Sequence, residues 1–485
     1  MKKVRTRFAP SPTGYMHIGN LRTALYEYLV AKKDNGDFLL RIEDTDQGRL
    51  IDGATDIIYD TLKRCNILHD EGPDIGGKFG PYVQSERMKS GMYLDYAKQL
   101  IELNGAHYCF CDECEVSKQR EIAEAKGVSF KFDDPCKNLS KEVIDDKLNT
   151  CSQYVIRQTI PTSGTTSFID EVYGTITVEN STLDESVLIK SDGFPTYNFA
   201  NIIDDHTMEI THVVRGNEYL SSTPKYNLVY QSYGWEIPTY VHCPPVMKNE
   251  KEKLSKRNGD ASFQDLVAKG YLPEAIINYI ALLGWAPETD QEIYTLDELT
   301  KAFNVNRIGN SGAIFDIDKL TWMNGMYLRN MEFEKYFELV DSHIQNAVKG
   351  PYNHREIAHI LQQRMNTLNE IDESLDFFDN YNSDFDIAFY NNKKMKTNPE
   401  VAKRSLEAVI ELFSSLNNWN KEVIHDSLMD LVVKLECKNG QVLYPVRVAL
   451  TGKEFTPGGA IEISLILGKQ EALSRLKTAL NNLSK

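Results

Sequence analysis

Residues Arg5 to Arg22 read RTRFAPSPTGYMHIGNLR, and the change of texture inside this stretch decides the fold. Val4 to Ala9 is a short extended run. Pro10, Pro12 and Gly14 then forbid regular structure until His17, since proline fixes φ and lacks an N–H and glycine marks turns. From Gly19 onward Leu21, Leu25, Tyr28 and Leu29 fall on one helical face, and Asp37 to Ile42 returns to an extended, buried type. Strand, loop, helix and strand open an α/β sheet. His17-Ile18-Gly19-Asn20 sits at the start of the helix, above the strand ends where such sheets bind ligands. The unpaired N–H groups and positive dipole end of a helix start suit a phosphate. Gly19 lets a nucleotide approach closely, and His17 can donate to phosphate oxygens as charge develops. Taken alone, the string fits equally well a histidine that merely hydrogen-bonds the helix end.

Outward from this start, the chain has 485 residues, enough for about three domains. Apolar residues make up 41% and charged residues 26%, a soluble globular composition that excludes a disordered chain. No apolar run approaches the length of a membrane helix, and the basic first residues run into prolines rather than an apolar signal segment. The expectation is a cytoplasmic protein. With 54 basic and 70 acidic residues the net charge is -16, so an indiscriminate polyanion binder is disfavoured and any nucleic acid must be met by local, positioned groups.

Ala54 to Cys65 and Met88 to Leu100 repeat the helical spacing, and the Gly72–Pro81 stretch between them reads as a loop and boundary. Residues 81 to about 185 change character: a cysteine cluster is followed by the β-prone, turn-rich stretch Thr159 to Thr182, which together read as an inserted domain. The α/β texture resumes after Leu188, with a strand at His212 to Arg215 and a helix from Thr223 to Tyr233. From Met331 onward Glu356 to Leu368 and Val401 to Leu416 predict a separate helical domain, with the Asn- and Asp-rich patch 369 to 399 as a surface connection.

Lys253-Leu254-Ser255-Lys256-Arg257 packs three cations into one short loop. Its lysines and hydroxyl could clamp the β and γ phosphates while the α phosphorus is attacked. By itself it also fits a solvated turn near Glu250 and Glu252. Paired with the helix start at Gly19, the loop fits the same nucleotide from the other side.

With these two elements in hand, the chain resembles the glutamyl-tRNA synthetases, a family of class I aminoacyl-tRNA synthetases, over nearly its whole length. The resemblance is carried by Arg5 to Arg22, Leu39 to Arg49 (LLRIEDTDQGR), Gly80 to Arg87 (GPYVQSER), Lys190 to Tyr197 (KSDGFPTY), Asn201 to His206 (NIIDDH) and Lys253 to Arg257 (KLSKR). It departs from the family's signatures at Asn20 and at KLSKR, while keeping His17 and Lys256. It implies a Rossmann-like α/β catalytic domain in two halves, 1–80 and 188–257, split by an inserted α/β domain at 81–187 that binds the acceptor end of tRNA. A stem-contact region at 258–330 and an all-helical anticodon-binding domain at 331–485 would follow.

The implied reaction joins L-glutamate to the 3' end of tRNA(Glu) through a glutamyl-adenylate, with release of pyrophosphate and AMP. The substrate's own carboxylate is the nucleophile, so the protein contributes positioning and electrostatics. The resemblance makes His17, Lys253 and Lys256 catalytic, and has His17, Gly19, Asn20, Lys253, Ser255, Lys256 and Arg257 hold ATP. Arg7, Tyr197 and Arg215 would meet the glutamate side-chain carboxylate and Glu43 its ammonium, with Ala9, Ser11 and Asn201 beside them. Where family members often carry Trp, this chain has Tyr219. Mg2+ is expected with ATP. Asp44 and Asp46 read either as metal ligands or as loop and helix-capping groups. A monomer is the family expectation. An enzyme that also charges tRNA(Gln) is the nearest alternative, and a catalytically silent RNA-binding role would leave His17, Glu43, Arg215 and Lys256 with no reason to occur together.

Of the eight cysteines, Cys109, Cys111, Cys114 and Cys136 lie close together. Their spacing could make a four-thiolate Zn2+ site, as in some bacterial family members, or leave free thiols. The family's usual Tyr-x3-Cys is Phe132-x3-Cys136 here, so Cys114 or a group such as His107 would have to supply the fourth ligand.

Overall fold

The computed structural model describes residues 2–46, 48, 50–127, 130–150, 153–255 and 262–484. The chain forms two compact units, one of Met1–Leu266 with Ile276–Asp316 and the other of Val267–Ala275 with Ile317–Lys485.

In the first unit Arg5–Phe8 (β1) pairs in parallel with Asp37–Leu40 (β2), Arg5 opposite Asp37 and Phe8 opposite Leu40. Helix Ile18–Lys33 (α1) makes the crossover that a parallel pair requires. All of β1 is buried, as expected of a parallel strand covered on both faces. The expected apolar face of α1 is buried at Leu21, Leu25 and Leu29, but Tyr28 is only half-buried and the seam runs through Tyr26 and Glu27 instead. Glu27 turns inward because its carboxylate lies 3.1 Å from the Arg7 guanidinium, an ion-pair demand that hydrophobic spacing cannot register.

The further strands are Ala106–Cys109 (β3), Val155–Gln158 (β4), Thr165–Asp170 (β5), Gly174–Glu179 (β6), Val187–Ile189 (β7), His212–Gly216 (β8), Thr239–Cys243 (β9), Val246–Met247 (β10) and Ala313–Ile314 (β11). One sheet runs β6-β5-β9-β8, with β5, β9 and β8 parallel and β6 antiparallel to β5. The Thr211 N–H donates to the Arg5 carbonyl at 3.0 Å, which sets β8 beside β1 and carries the parallel layer on to β2. β3, β4 and β7 form a separate antiparallel sheet. The β5–β6 hairpin falls within 81–187, yet β5 lies against β9, with Phe168 packed on Tyr240 at 5.8 Å. The segment expected as an insertion, 81–187, therefore contributes β5 to the sheet of β8 and β9.

Among its described residues the second unit is helical from Ile317 onward, with long helices at Phe333–Ala347, Pro399–Ser415, Lys421–Lys434, Asn439–Thr451 and Ala460–Asn482. Asn398 and Asn420 cap two of them by accepting from the N–H groups of Val401 and Val423. The helix expected over Glu356 to Leu368 is shorter, His354–Gln362. The Asn- and Asp-rich patch is not merely a surface connection: Phe377, Phe378, Phe385 and Tyr390 within it are core residues. Buried Arg475 fixes that patch by donating to the carbonyls of Phe377 and Phe378 at 2.7 and 2.9 Å. No described helix is long and apolar enough to cross a membrane.

Candidate active site

A cavity of about 290 Å³ opens at the carboxyl ends of β1, β8 and β9, where a parallel sheet leaves its ligand crevice. Arg7, Ala9, Ser11, Gly19, Asn20, Glu43, Tyr197 and Arg215 all line it. The volume is at the small end of ligand pockets and suits an amino acid.

Four of the remaining expected residues lie outside the cavity lining. His17 caps α1, its Nδ1 accepting from the Gly19 N–H at 3.0 Å, so the ring proton belongs on Nε2. Asn201 is buried and gives its amide to the Tyr197 carbonyl at 2.8 Å. Lys253 and Ser255 are exposed. Lys256 and Arg257 lie outside the described residues. The flanks of the lysine loop are nonetheless tied to the site: the Leu254 N–H donates at 3.0 Å to Val246, which lines the cavity. On the far flank the Phe263 N–H donates to the Met16 carbonyl at 3.0 Å, and Ser262 bridges His17. The loop thus leaves from one wall of the cavity and returns beside the start of α1.

Behind the cavity runs a buried network of alternating charge. Arg7 forks onto Asp205, Nε to Oδ1 at 2.9 Å and Nη2 to Oδ2 at 3.2 Å, and reaches Glu27 through Nη1 at 3.1 Å. Fully buried Arg41 joins Asp205 at 2.7 Å to Glu43 at 2.9 Å. Asp204 gathers Arg87, Tyr93 and Gln84. Burial alone would push Asp205 up, but the guanidinium groups of Arg7 and Arg41 hold it below the ordinary carboxylate range. Burial pushes Glu43 up to about 7 against the pull of Arg41 and Arg7. Asp44 Oδ1 accepts from the Ser85 N–H at 2.8 Å, in the first turn of helix Gln84–Met88.

Arg215 is built differently. Nε donates to His242 Nε2 at 3.0 Å and Nη2 to Thr223 Oγ1 at 2.8 Å. It forms no ion pair with a carboxylate among the described residues, and only 6% of its surface is exposed. Arg22, also in the lining, donates to the carbonyls of Leu283 and Pro244. Tyr197 and Tyr219 face each other at 5.4 Å, closing one side.

In the cysteine cluster the structure brings together Cys109, Cys111 and Cys136 with Asp134, their ligand atoms all within 4.8 Å of one another. Cys114 is exposed in the first turn of helix Glu113–Ala125 and does not join them. The fourth position goes to Asp134 because that residue caps the turn carrying Cys136, accepting its N–H at 2.9 Å. His107 does not join as a ligand either: its Nε2 lies 3.1 Å from the other Asp134 oxygen, behind the cluster.

A parallel sheet with its crevice at the strand ends, a buried arginine that makes no ion pair among the described residues, and loop flanks tied to the cavity wall and to the start of α1 are the geometry of an α/β ligand-binding domain. Residues 3–322 match the family model for tRNA synthetases class I (E and Q), catalytic domain, and residues 332–480 match an anticodon binding domain. The glutamate–tRNA ligase of Clostridium botulinum is 56% identical over 481 residues, covering 99% of both chains. That of Clostridium acetobutylicum is 53% identical over 484 residues, covering 100% of this chain and 99% of its own. A solved glutamate tRNA ligase from Elizabethkingia meningosepticum, in complex with its amino acid, is 35% identical, with a TM-score of 0.88 over 99% of this chain and 100% of that one. The chain belongs to the glutamate–tRNA ligase family of class I synthetases.

Arg41, Glu27, Asp205, Arg22, Asp134 and His242 were not singled out by sequence reasoning. The available signal was a charge inside an apolar strand, as with Arg41 between Leu40 and Ile42.

Proposed function

We propose that this enzyme ligates L-glutamate to tRNA(Glu) with its side-chain carboxylate on Arg215 and its ammonium at Glu43. The observation that carries this reading is the cavity cation Arg215, which is buried without a carboxylate partner among the described residues and so favours an anionic ligand. ATP lies over Gly19 and Asn20 at the start of α1, with Mg2+ carried by its phosphates. Lys253, Ser255, Lys256 and Arg257 close over the β and γ phosphates. An oxygen of the glutamate α-carboxylate attacks the α phosphorus, the bond to pyrophosphate breaks, and glutamyl-adenylate forms. A ribose hydroxyl of the terminal tRNA adenosine then attacks the acyl carbon and AMP leaves. The His17 Nε2–H supports phosphate charge in the first step, while the network behind Arg7 keeps the floor of the pocket from reorganising. The enzyme works as a monomer in the cytoplasm. The test is charging of purified tRNA(Glu), with tRNA(Gln) for comparison, together with glutamate-dependent pyrophosphate exchange with and without tRNA. No glutamate charging of tRNA(Glu) would refute the reading.

Because Glu43 titrates near 7 and the substrate ammonium prefers its ionised form, glutamate affinity should improve as pH rises. Between pH 6 and 8 the ionised fraction of such a group grows about tenfold, so KM for glutamate should fall by a comparable factor. A KM flat across that range would remove Glu43 from the ammonium site.

Cys109, Cys111, Cys136 and Asp134 fit a structural Zn2+. The Sγ atoms of Cys111 and Cys136 are 3.7 Å apart. The edge of a tetrahedron with metal–sulfur bonds near 2.3 Å is about 3.8 Å. The Phe110 N–H already donates to Cys136 Sγ at 3.3 Å, and His107 steadies Asp134 from behind. The ion would cross-link β3 to the turn at Pro135–Asn138. Elemental analysis should return about one zinc per chain and less in Asp134→Ala. Cys114→Ser should leave the metal content unchanged.

A further inference from the structure

Arg215 and His242 are partners in the parallel register of β8 and β9, so both side chains leave the sheet on the same face. His242 is fully buried. An arginine Nε can only donate, so the 3.0 Å contact makes His242 Nε2 the acceptor and puts the ring proton on Nδ1. That Nδ1–H donates to Asp170 Oδ2 at 2.6 Å, and the same oxygen accepts the His242 backbone N–H at 3.2 Å. The other oxygen, Oδ1, takes the N–H groups of Val172 and Tyr173 at 3.0 and 2.9 Å. Asp170 is therefore held by the turn that follows β5, and it fixes both the tautomer and the orientation of the imidazole.

At the guanidinium itself, Nε donates to His242 and Nη2 to Thr223, and Nη1 donates to no acceptor among the described residues. The rings of Tyr219, Tyr226 and Tyr240 stand 5.2, 4.8 and 5.3 Å from its central carbon. Arg7 supplies the contrast within the same cavity. It is held just as firmly, but by Asp205, whose carboxylate cancels its charge, with Glu27 as a second partner. A neutral imidazole anchors an arginine without neutralising it.

We propose that His242 and Asp170 are positioning residues for substrate choice: they aim Arg215 while leaving its charge uncancelled, so that the pocket selects a side-chain carboxylate over the corresponding amide. The proposal rests on the reading of this cavity as the glutamate site. Against glutamine, the exposed edge of Arg215 offers donors to a group that is itself half donor, and the ionic attraction is absent.

The test compares His242→Leu, His242→Gln and Asp170→Asn with wild type in tRNA charging, measuring KM for glutamate, KM for ATP, kcat, and the ratio of kcat/KM for glutamate over glutamine. His242→Leu should raise KM for glutamate at least tenfold and lower the glutamate to glutamine ratio at least tenfold, with KM for ATP within twofold. His242→Gln keeps a neutral acceptor for Arg215 and should recover most of both effects. Asp170→Asn, nearly isosteric, should raise KM for glutamate several-fold at an unchanged KM for ATP, and it serves where the leucine variant does not fold. The proposal fails if Asp170→Asn and the folded His242 variants keep wild-type KM and selectivity, or if both KM values move together. Wild-type protein that does not charge with glutamate at all would instead sink the pocket assignment itself.

Discussion

Arg215→Ala is expected to lower kcat/KM for glutamate by about a thousandfold, while KM for ATP changes little. The magnitude follows from the cost of leaving one partner of a buried charge pair alone, about 3–5 kcal/mol. At 1.36 kcal/mol per factor of ten that is roughly two to four decades. In the variant the orphan is the substrate's own carboxylate, which enters the cavity and finds Arg7 already occupied by Asp205 and Glu27. Arg215→Lys should restore little, because an ammonium cannot reproduce the fork that meets His242 and Thr223 while presenting a third edge. Thermal stability should move the other way. A buried cation without a carboxylate partner among the described residues is costly in the unliganded protein, so the melting temperature of Arg215→Ala should be equal to wild type or higher. Charging kinetics and a thermal melt decide the matter together: a drop in kcat/KM of less than about tenfold, or a melting temperature that collapses with activity, would mean that Arg215 is a scaffold residue.

The two arginines of the cavity differ in what holds them. Both project from parallel strands at their carboxyl ends, Arg7 from β1 and Arg215 from β8. Arg7 is locked between helix Tyr197–Thr207, which carries Asp205, and α1, which carries Glu27. It therefore acts as a strut joining the two halves of the parallel layer. Arg215 is held by neutral groups and three rings, and no carboxylate among the described residues pairs with it. Glu43 also lines the cavity, held by Arg41 at 2.9 Å, with burial pushing its pKa up to about 7. A cation and a carboxylate in one small cavity are what the proposed binding of glutamate requires.

The strand-loop-helix-strand opening was legible because proline, glycine and apolar spacing act locally, and the structure places those elements within a residue or two of their expected bounds. Most pocket residues were legible through the family strings. What escaped were contacts set by tertiary pairing. Glu27 looks like a solvent-facing helix residue until Arg7 arrives from the strand beside it. Asp134 looks like a turn residue until its cap brings it to the thiols, whereas Cys114, closer to Cys111 in sequence, is carried outward by its helix. The patch 369–399 reads as polar by composition, and its phenylalanines are sheltered by backbone bonds from Arg475, a residue about a hundred positions later.

Asp205→Ala should be the most destabilising single change in the first unit. One carboxylate serves two fully buried guanidinium groups, accepting from Arg7 at 2.9 and 3.2 Å and from Arg41 at 2.7 Å. Removing it takes away the carboxylate the two share and leaves Arg7 with Glu27 and Arg41 with Glu43 alone at short range, at a cost of about 3–5 kcal/mol. At roughly 2–4 °C per kcal/mol for domains of a few hundred residues, the melting temperature should fall by at least about 6 °C. The pH dependence gives an independent check. The folded Asp205 sits below its ordinary range because of Arg7 and Arg41, so the native state binds its proton less readily than the unfolded chain. Its contribution is therefore full above about pH 4, the unfolded value, and is lost as pH falls further toward the depressed folded value. The gap between wild type and Asp205→Ala should stay level from neutral pH down to about pH 5 and narrow below about pH 4. A gap that widened on acidification would mean that Asp205 is held protonated in the fold, and the strut would have to be redrawn as a neutral hydrogen-bonded cluster.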